Sequence, residues 1–475
     1  MLFPTTDFAI FFALVFLANW LLNPFRTRWK VFMVLASYVF YAWWDWRLVW
    51  LLALVTLIAQ AGALWVARRE GERARRLAVM VSVAATLAPL LWFKYYGFLS
   101  LNLENLFGAV GASSPLPLIQ VLLPVGISFY TFMALSYVVD VYREQLEPAG
   151  WLDFFVYLSF FPHLVAGPIV RGGELLPQFR GARDPRRLDV ARATYLILGG
   201  LFKKVVVSSY LAAAIVDPVF GDPARFGAID VLFAIYAYAI VIYADFSGYT
   251  DIAIGVAELL GFRFPPNFNR PYAARSVQDF WRRWHMTLSR WLRDYLYIPL
   301  GGSRKGERRT YVNVMLTMVL GGLWHGAGWT FLAWGALHGL GLAFDHWRTG
   351  RRAAARLEPL ASDPASVLRQ RVATFHLVCL GWVFFRAESF GAGFGVLGRL
   401  VTGWGLAPAL VTPVLVLVIG GSLLMQYLPH HPAQHLQVAF SRLRPWAQGV
   451  GAALALVAIT TLGPQGVAPF IYFQF

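Results

Sequence analysis

The chain has a single cysteine, Cys379, among its 475 residues. That excludes an intrachain disulfide and a thiolate metal cluster. Charge is also scarce, with 14% of residues Asp, Glu, Lys or Arg against 58% hydrophobic. No polar stretch is long enough to build a separate soluble domain. A G-x-S-x-G elbow and a Walker loop are both missing, which removes the usual sequence signs of those catalytic apparatuses. The opening MLFPTTDFAIFFALVFLANWLL has no basic leader and no small-residue cleavage site, so it reads as a retained first span.

What the chain does have is apolar sequence in many separate runs. They lie near 7–23, 30–46, 48–67, 77–97, 121–141, 151–170, 193–216, 228–262, 311–346, 372–387, 408–428 and 446–462. This pattern predicts an all-α polytopic integral membrane protein with roughly 10–12 membrane helices, plus re-entrant and interfacial ones. The longest runs, 228–262 and 311–346, exceed one bilayer thickness and are expected to bend, break or double back.

Lys and Arg outnumber Asp and Glu by 41 to 25. The excess sits in short clusters at 26–30, 68–76, 171–192, 263–309 and 348–371, whereas loop 99–120 has no Lys or Arg. The asymmetry places the clusters in the cytoplasm and the N-terminus and loop 99–120 outside. Basic charge dispersed over short loops between spans argues against a nucleic-acid partner and for contact with membrane lipid. Run 151–170 breaks simple alternation: it holds Pro162, His163, Gly167 and Pro168 and is flanked by polar sequence on both sides. A re-entrant element is expected there, since irregular backbone at depth must be buried in protein or line a cavity.

The densest chemistry lies between Asn267 and Trp329. Ser276 with Asp279 forms a capping box, and Pro299 would stop the helix it starts. On a helix over 276–296, Arg282, Arg283, Arg290 and Arg293 share one arc. Phe280, Trp281, Trp284, Leu288, Trp291 and Tyr295 take the opposite arc, with His285 and Ser289 at the border. Such a helix lies in the membrane interface with its arginines toward water. Anionic headgroups suit that face, and so does a phosphate-rich cytosolic ligand, because guanidinium forks match phosphate geometry.

His325 follows forty residues after His285, in GGLWHGAGW (321–329). A helix entering from the basic loop would carry His325 on the order of 20 Å into the bilayer. Glycines let backbones approach or the helix unwind, and Trp329 at i+4 would share the histidine's face. A histidine here can serve as interhelical packing, but the glycine and tryptophan setting favours chemistry. A neutral imidazole can take a proton from a hydroxyl attacking an acyl carbon. His338 and His346, further along the run, suit packing or interface roles, and His376 beside Cys379 has no ligand set. His430, His431 and His435 lie in a Pro-containing connector; no metal site is expected. Asp245 and Asp251 bracket DFSGYTD inside run 228–262, where a carboxylate can line a substrate path or bond between helices.

At these residues the chain resembles the membrane-bound O-acyltransferases, and most of all the bacterial branch of alginate O-acetylation and teichoic acid D-alanylation. The matching strings are LPVGISFYTF (123–132), PHLVAGPIVR (162–171), DFSGYTDIAIG (245–255), NFNRPY (267–272), FWRRWHMTLSRWLRDYLYIPLGG (280–302), LWHGAGW (323–329) and the terminal FIYFQF. The resemblance implies a single acyltransferase domain over 1–475: N-terminal helices 1–120, a catalytic core 121–346 and C-terminal helices 347–475. It implies acyl transfer at a central tunnel, with His325 matching the family's buried catalytic histidine. His285 matches an upstream position that is Asn, Asp or His among members. Arg282, Arg283, Arg290 and Arg293 become candidate donor-binding residues. Trp284, Ser289, Trp324, Trp329 and Asp251 become candidates for the tunnel lining.

Length and the spans beyond residue 390 look more like the acetylating branch. That implies acetyl-CoA as co-substrate with no permanently bound cofactor, and a periplasmic acetyltransferase or esterase-like partner. An exported polysaccharide such as alginate would be the final acceptor, and the bacterial inner membrane the location. Two other functions compete: D-alanyl transfer to teichoic acid, and a non-enzymatic acyl-carrier transporter using the histidines as a proton relay. The transporter reading is weakened by the lack of an internal repeat. The acyl-transfer reading requires that the His325 imidazole be reachable from both aqueous compartments.

Overall fold

The computed structural model describes residues 1–119, 121–181, 183–354, 363–428 and 431–464. The terminal FIYFQF and His430 lie outside these residues. Every regular element among the described residues is helical. Five helices are long and apolar enough to cross a membrane: Trp46–Ala67, Glu72–Ala109, Val190–Gly221, Ala228–Leu259 and Pro445–Leu462. Three shorter apolar helices accompany them, Thr6–Leu21, Ile127–Tyr142 and Pro413–Tyr427. The chain is an all-α, multi-pass membrane protein.

The two longest apolar runs behave differently. Run 228–262 does not break: it forms one continuous helix, Ala228–Leu259, of 32 residues. No proline interrupts the sequence between those residues, so nothing removes a rung of the hydrogen-bond ladder. Run 311–346 does double back. Glu307–His325 ends at an extended Gly326, and Trp329–Ala354 returns alongside it.

The described residues gather into two compact units, residues 1–193 with 253–265 and residues 194–252 with 266–475. In the first, Val49–Ala67, Glu72–Leu90 and Ile127–Tyr142 pack on one another. The buried Gln60 side chain is fully engaged there. Its amide donates to the Ala149 carbonyl at 2.6 Å and its oxygen accepts from the Tyr137 hydroxyl at 2.8 Å. Satisfied in this way, an amide can sit inside an apolar bundle at little cost. Run 151–170 does not form a crossing helix. Trp151–Ser159 spans only 9 residues, a 4-residue turn Phe161–Leu164 follows, and the chain then runs irregularly to Arg171. Residues 160–170 are all buried, as irregular backbone at membrane depth demands.

In the second unit the hairpin of Glu307–His325 and Trp329–Ala354 is built on glycine. A Cβ on Gly322 would lie 2.2 Å from the Phe331 carbonyl oxygen, and one on Gly335 would lie 2.3 Å from that of Met318. The backbones touch at both positions, so Gly322→Ala or Gly335→Ala must splay the hairpin. Each is expected to cost about 1–3 kcal/mol or more, read as a lower melting temperature of the detergent-solubilised protein. Unchanged melting in both would contradict the close approach. A third helix, Pro364–Arg386, packs on Trp329–Ala354, with Trp382 stacked on Trp334 at 5.8 Å and 21°.

Candidate active site

The segment 276–296 is not the single helix its periodicity predicts. Ser276 accepts from the Asp279 N–H at 3.2 Å and starts a helix that ends at Trp281. A second helix runs over Met286–Leu292, and a π-helical turn, Arg293–Tyr297, follows it. The break falls at His285, which adopts left-handed backbone, φ 41 and ψ 55. The cause is a residue outside the segment. Asn267 takes over the start of the second helix, its carbonyl accepting from the Met286 N–H at 2.9 Å. Its side-chain Oδ1 accepts from the Thr287 N–H at 3.2 Å and the Thr287 hydroxyl at 2.8 Å. The orphan donors of a helix start are thereby satisfied.

Asn267 also fixes the histidine's protonation pattern. The Thr287 N–H can only donate, so the atom facing it is the amide oxygen. That same oxygen lies 3.2 Å from His285 Nδ1, and Nδ1 must therefore carry the proton. Nε2 then holds the lone pair of the neutral ring. Asn267 was visible in the sequence only as part of NFNRPY; no spacing rule ties it to a helix that begins nineteen residues later.

The division of faces survives the break. Phe280, Trp281, Trp284, Leu288 and Trp291 are buried, whereas Arg282 and Arg293 are exposed. Three of the four arginines, Arg282, Arg290 and Arg293, line one cavity of about 450 Å³ with Ser289, Thr310 and His346. Met286, Leu292 and Met318 form part of its apolar wall. Arg283 is not among the lining residues; its Nε donates to Asp279 at 2.7 Å.

His325 is the last residue of its helix and 2% exposed. Its ring lies 4.9 Å from Trp324, 4.9 Å from Trp334 and 5.3 Å from Phe385, edge-on in each case. The other face of the site is His285, 0% exposed, with its ring 6.1 Å from the same Trp324 and 4.7 Å from Phe246. The Trp324 indole thus has both imidazoles as neighbours. The open access expected from the sequence is not present at His325 in this structure, because aromatic rings close around it.

The remaining expected residues scatter. Trp284 is a core ring, stacked on Phe280 at 5.5 Å and 5.0 Å from Trp382. Trp329 does not share a face with His325: the helix stops between them, and Trp329 is 56% exposed at the start of the next one. Asp251 pairs with Lys203, and Asp245 pairs with Lys204, both lysines lying on the π-helical stretch Phe202–Ser208. His338 is fully buried, accepts from Trp281 Nε1 at 3.2 Å and lies 4.7 Å from Trp334. Sequence reasoning missed the lysines, although two cations inside apolar run 193–216 were a signal for intramembrane ion pairs.

Comparison with known proteins converges on one family. The model of the membrane-bound O-acyltransferase family matches residues 35–381. A probable alginate O-acetylase AlgI of Pseudomonas aeruginosa is 42% identical over 402 residues, 82% of this chain and 72% of the relative. A peptidoglycan O-acetyltransferase of Helicobacter pylori is 34% identical over 78% of this chain and 73% of its own length. A teichoic acid D-alanyltransferase of Bacillus subtilis is 28% identical over 65% of this chain and 78% of its own length. The matched residues hold both buried histidines, the arginine-lined cavity and the glycine hairpin, and the chain belongs to the membrane-bound O-acyltransferase family.

Proposed function

We propose that this acyltransferase moves acetyl groups from a cytosolic donor, acetyl-CoA, across the bacterial inner membrane for O-acetylation of an exported polysaccharide. Alginate is the favoured polymer, and a periplasmic acetyltransferase or esterase-like protein is the favoured partner. The observation that carries the reading is the pair of buried imidazoles that both contact the Trp324 ring. In the transfer step the acceptor hydroxyl oxygen bonds to the acetyl carbon and the C–S bond of the thioester breaks. Once one of the rings around His325 turns aside, the hydroxyl proton passes to that imidazole, which hands it to the leaving thiolate to give the free thiol. His285, with its lone pair on Nε2, suits proton movement better than polarising the thioester, which would need a donor at that atom.

The arginine-lined cavity fits the donor. Met318, in its wall, lies seven residues before His325 on the same helix, roughly 10 Å along the axis. A phosphate-bearing headgroup held by Arg282, Arg290 and Arg293 would leave an extended thioester arm about two turns to reach the imidazole. Arg290→Gln is expected to raise KM for acetyl-CoA roughly ten-fold with a smaller change in kcat, measured by steady-state transfer in proteoliposomes. Equal KM for variant and parent would remove Arg290 from the donor site.

The similarity to D-alanyltransferases gives a second reading, in which a carrier protein is the donor. Proteoliposomes offered labelled acetyl-CoA, or a carrier protein loaded with labelled D-alanine, separate the two. Ester-linked acetyl label on polymer or partner supports the proposal; label from D-alanine alone rejects it, and movement of label without a covalent product would make the protein a transporter.

A further inference from the structure

Away from the histidines, a second cavity of about 310 Å³ is lined by two helix stripes. Trp329–Ala354 contributes Leu337, Gly341, Phe344 and Arg348, and Pro364–Arg386 contributes Gln370, Ala373, Thr374 and Leu377. Both follow the three- and four-residue spacing of one helix face. From Leu337 to Arg348 the stripe is roughly 16 Å long. It is apolar at one end and polar at the other, where Arg275, Asp345, Arg348 and Gln370 gather.

Among the described lining residues the polar end holds two arginines, Arg275 and Arg348, and one carboxylate, Asp345. Asp345 accepts from the Gln278 N–H at 3.0 Å and from Arg348 at 3.4 Å, so its carboxylate is committed. Arg275 Nε donates to Gln370 at 3.0 Å. The Arg348 Nε is buried and has no hydrogen-bond partner among the described residues. The apolar end is open: Leu340 and Phe344 are 61% and 55% exposed on a helix that packs inside a membrane protein. Arg351, Arg352, Arg369 and Arg371 follow at the polar end, the end that positive charge assigns to the cytoplasm.

We propose that this groove is a binding site for one anionic phospholipid of the cytoplasmic leaflet. Its phosphate sits between Arg275 and Arg348, and an acyl chain runs along Leu337, Gly341, Phe344, Ala373 and Leu377. Basic pockets between membrane helices recognise anionic headgroups in this way, and the Arg348 guanidinium, 28% exposed, matches phosphate geometry. The bound lipid would brace the helix Val277–Trp281, whose Val277 forms part of the wall.

Delipidated full-length protein in neutral detergent, titrated with phosphatidylglycerol or phosphatidylcholine and read by native mass spectrometry, tests the site. One phosphatidylglycerol per chain is expected, with phosphatidylcholine bound roughly ten-fold more weakly. Arg348→Gln should erase the preference. Ala373→Trp, at an exposed position that fills the apolar wall with both arginines intact, should exclude the lipid; it decides the matter if Arg348→Gln does not fold. Equal binding of the two lipids, or unchanged binding in Ala373→Trp, overturns the proposal. So does full competition by glycerol phosphate, which would mark a soluble phosphate site instead.

Discussion

Replacement of His325 by alanine is expected to lower acetyl transfer by roughly 10²–10⁴-fold while leaving donor affinity near its original value. The imidazole terminates its helix two turns beyond the cavity wall, so removing it takes away the proposed base without touching the arginines. A large-to-small change in a ring of aromatics also leaves a hole, and His325→Gln provides the control because it keeps volume and polarity without a basic nitrogen. Radiolabelled transfer and donor binding, measured on the same preparations, separate the outcomes. Undiminished transfer in both variants would reject the role of His325. Loss of donor binding together with rate would point to collapse of the site.

The second large effect is expected at the buried ion pair. Lys204 and Asp245 have side chains 2% and 3% exposed, on two helices long and apolar enough to cross a membrane. Their backbones approach closely nearby: a Cβ on Gly248 would be 2.8 Å from the Gly200 carbonyl oxygen. Lys204→Met leaves the Asp245 carboxylate without its lysine in a low-dielectric setting and should cost about 3–5 kcal/mol. Lys204→Met combined with Asp245→Leu should recover most of that loss, since a buried pair replaced as a whole by apolar groups is often near neutral. Denaturant titration of the double variant and of both single variants, Lys204→Met and Asp245→Leu, gives the coupling. A double variant as unstable as the single one would show that the pair does not act as a unit.

Much of this architecture was legible in the sequence because apolar length is a direct reading of bilayer thickness. The break in run 311–346 was legible as well, since GGLWHGAGW concentrates the residues that let a helix stop and return. The arginine face was predicted from one continuous helix, and three of its four members do line one cavity. The reason it survived the break is that buried aromatics, not helical continuity, decide which side of the segment faces inward. What the sequence hid was long-range. Asn267 breaks a helix it does not belong to, and the closing of Trp334 and Phe385 around His325 joins residues up to sixty positions apart. Periodicity carries no information about such partners. Run 228–262 is expected to bend, break or double back because of its excess length, and it does not break: an unbroken helix can extend past the hydrocarbon or tilt within it.

The enclosure of His325 has a mechanistic corollary. With aromatic rings closing around it, the proposed transfer would let an acceptor hydroxyl meet the imidazole only after one ring turns aside, and the same closure would keep water from the donor thioester.

His285 holds left-handed backbone, with φ 41. Asparagine, aspartate and histidine are the non-glycine residues that best tolerate left-handed backbone, and they are the three types that resemblance to the family allows at this site. Steric admission to the corner therefore filters the candidates before any proton moves. A β-branched valine, however well it matched the neighbouring hydrocarbon, would be turned away by its own main chain.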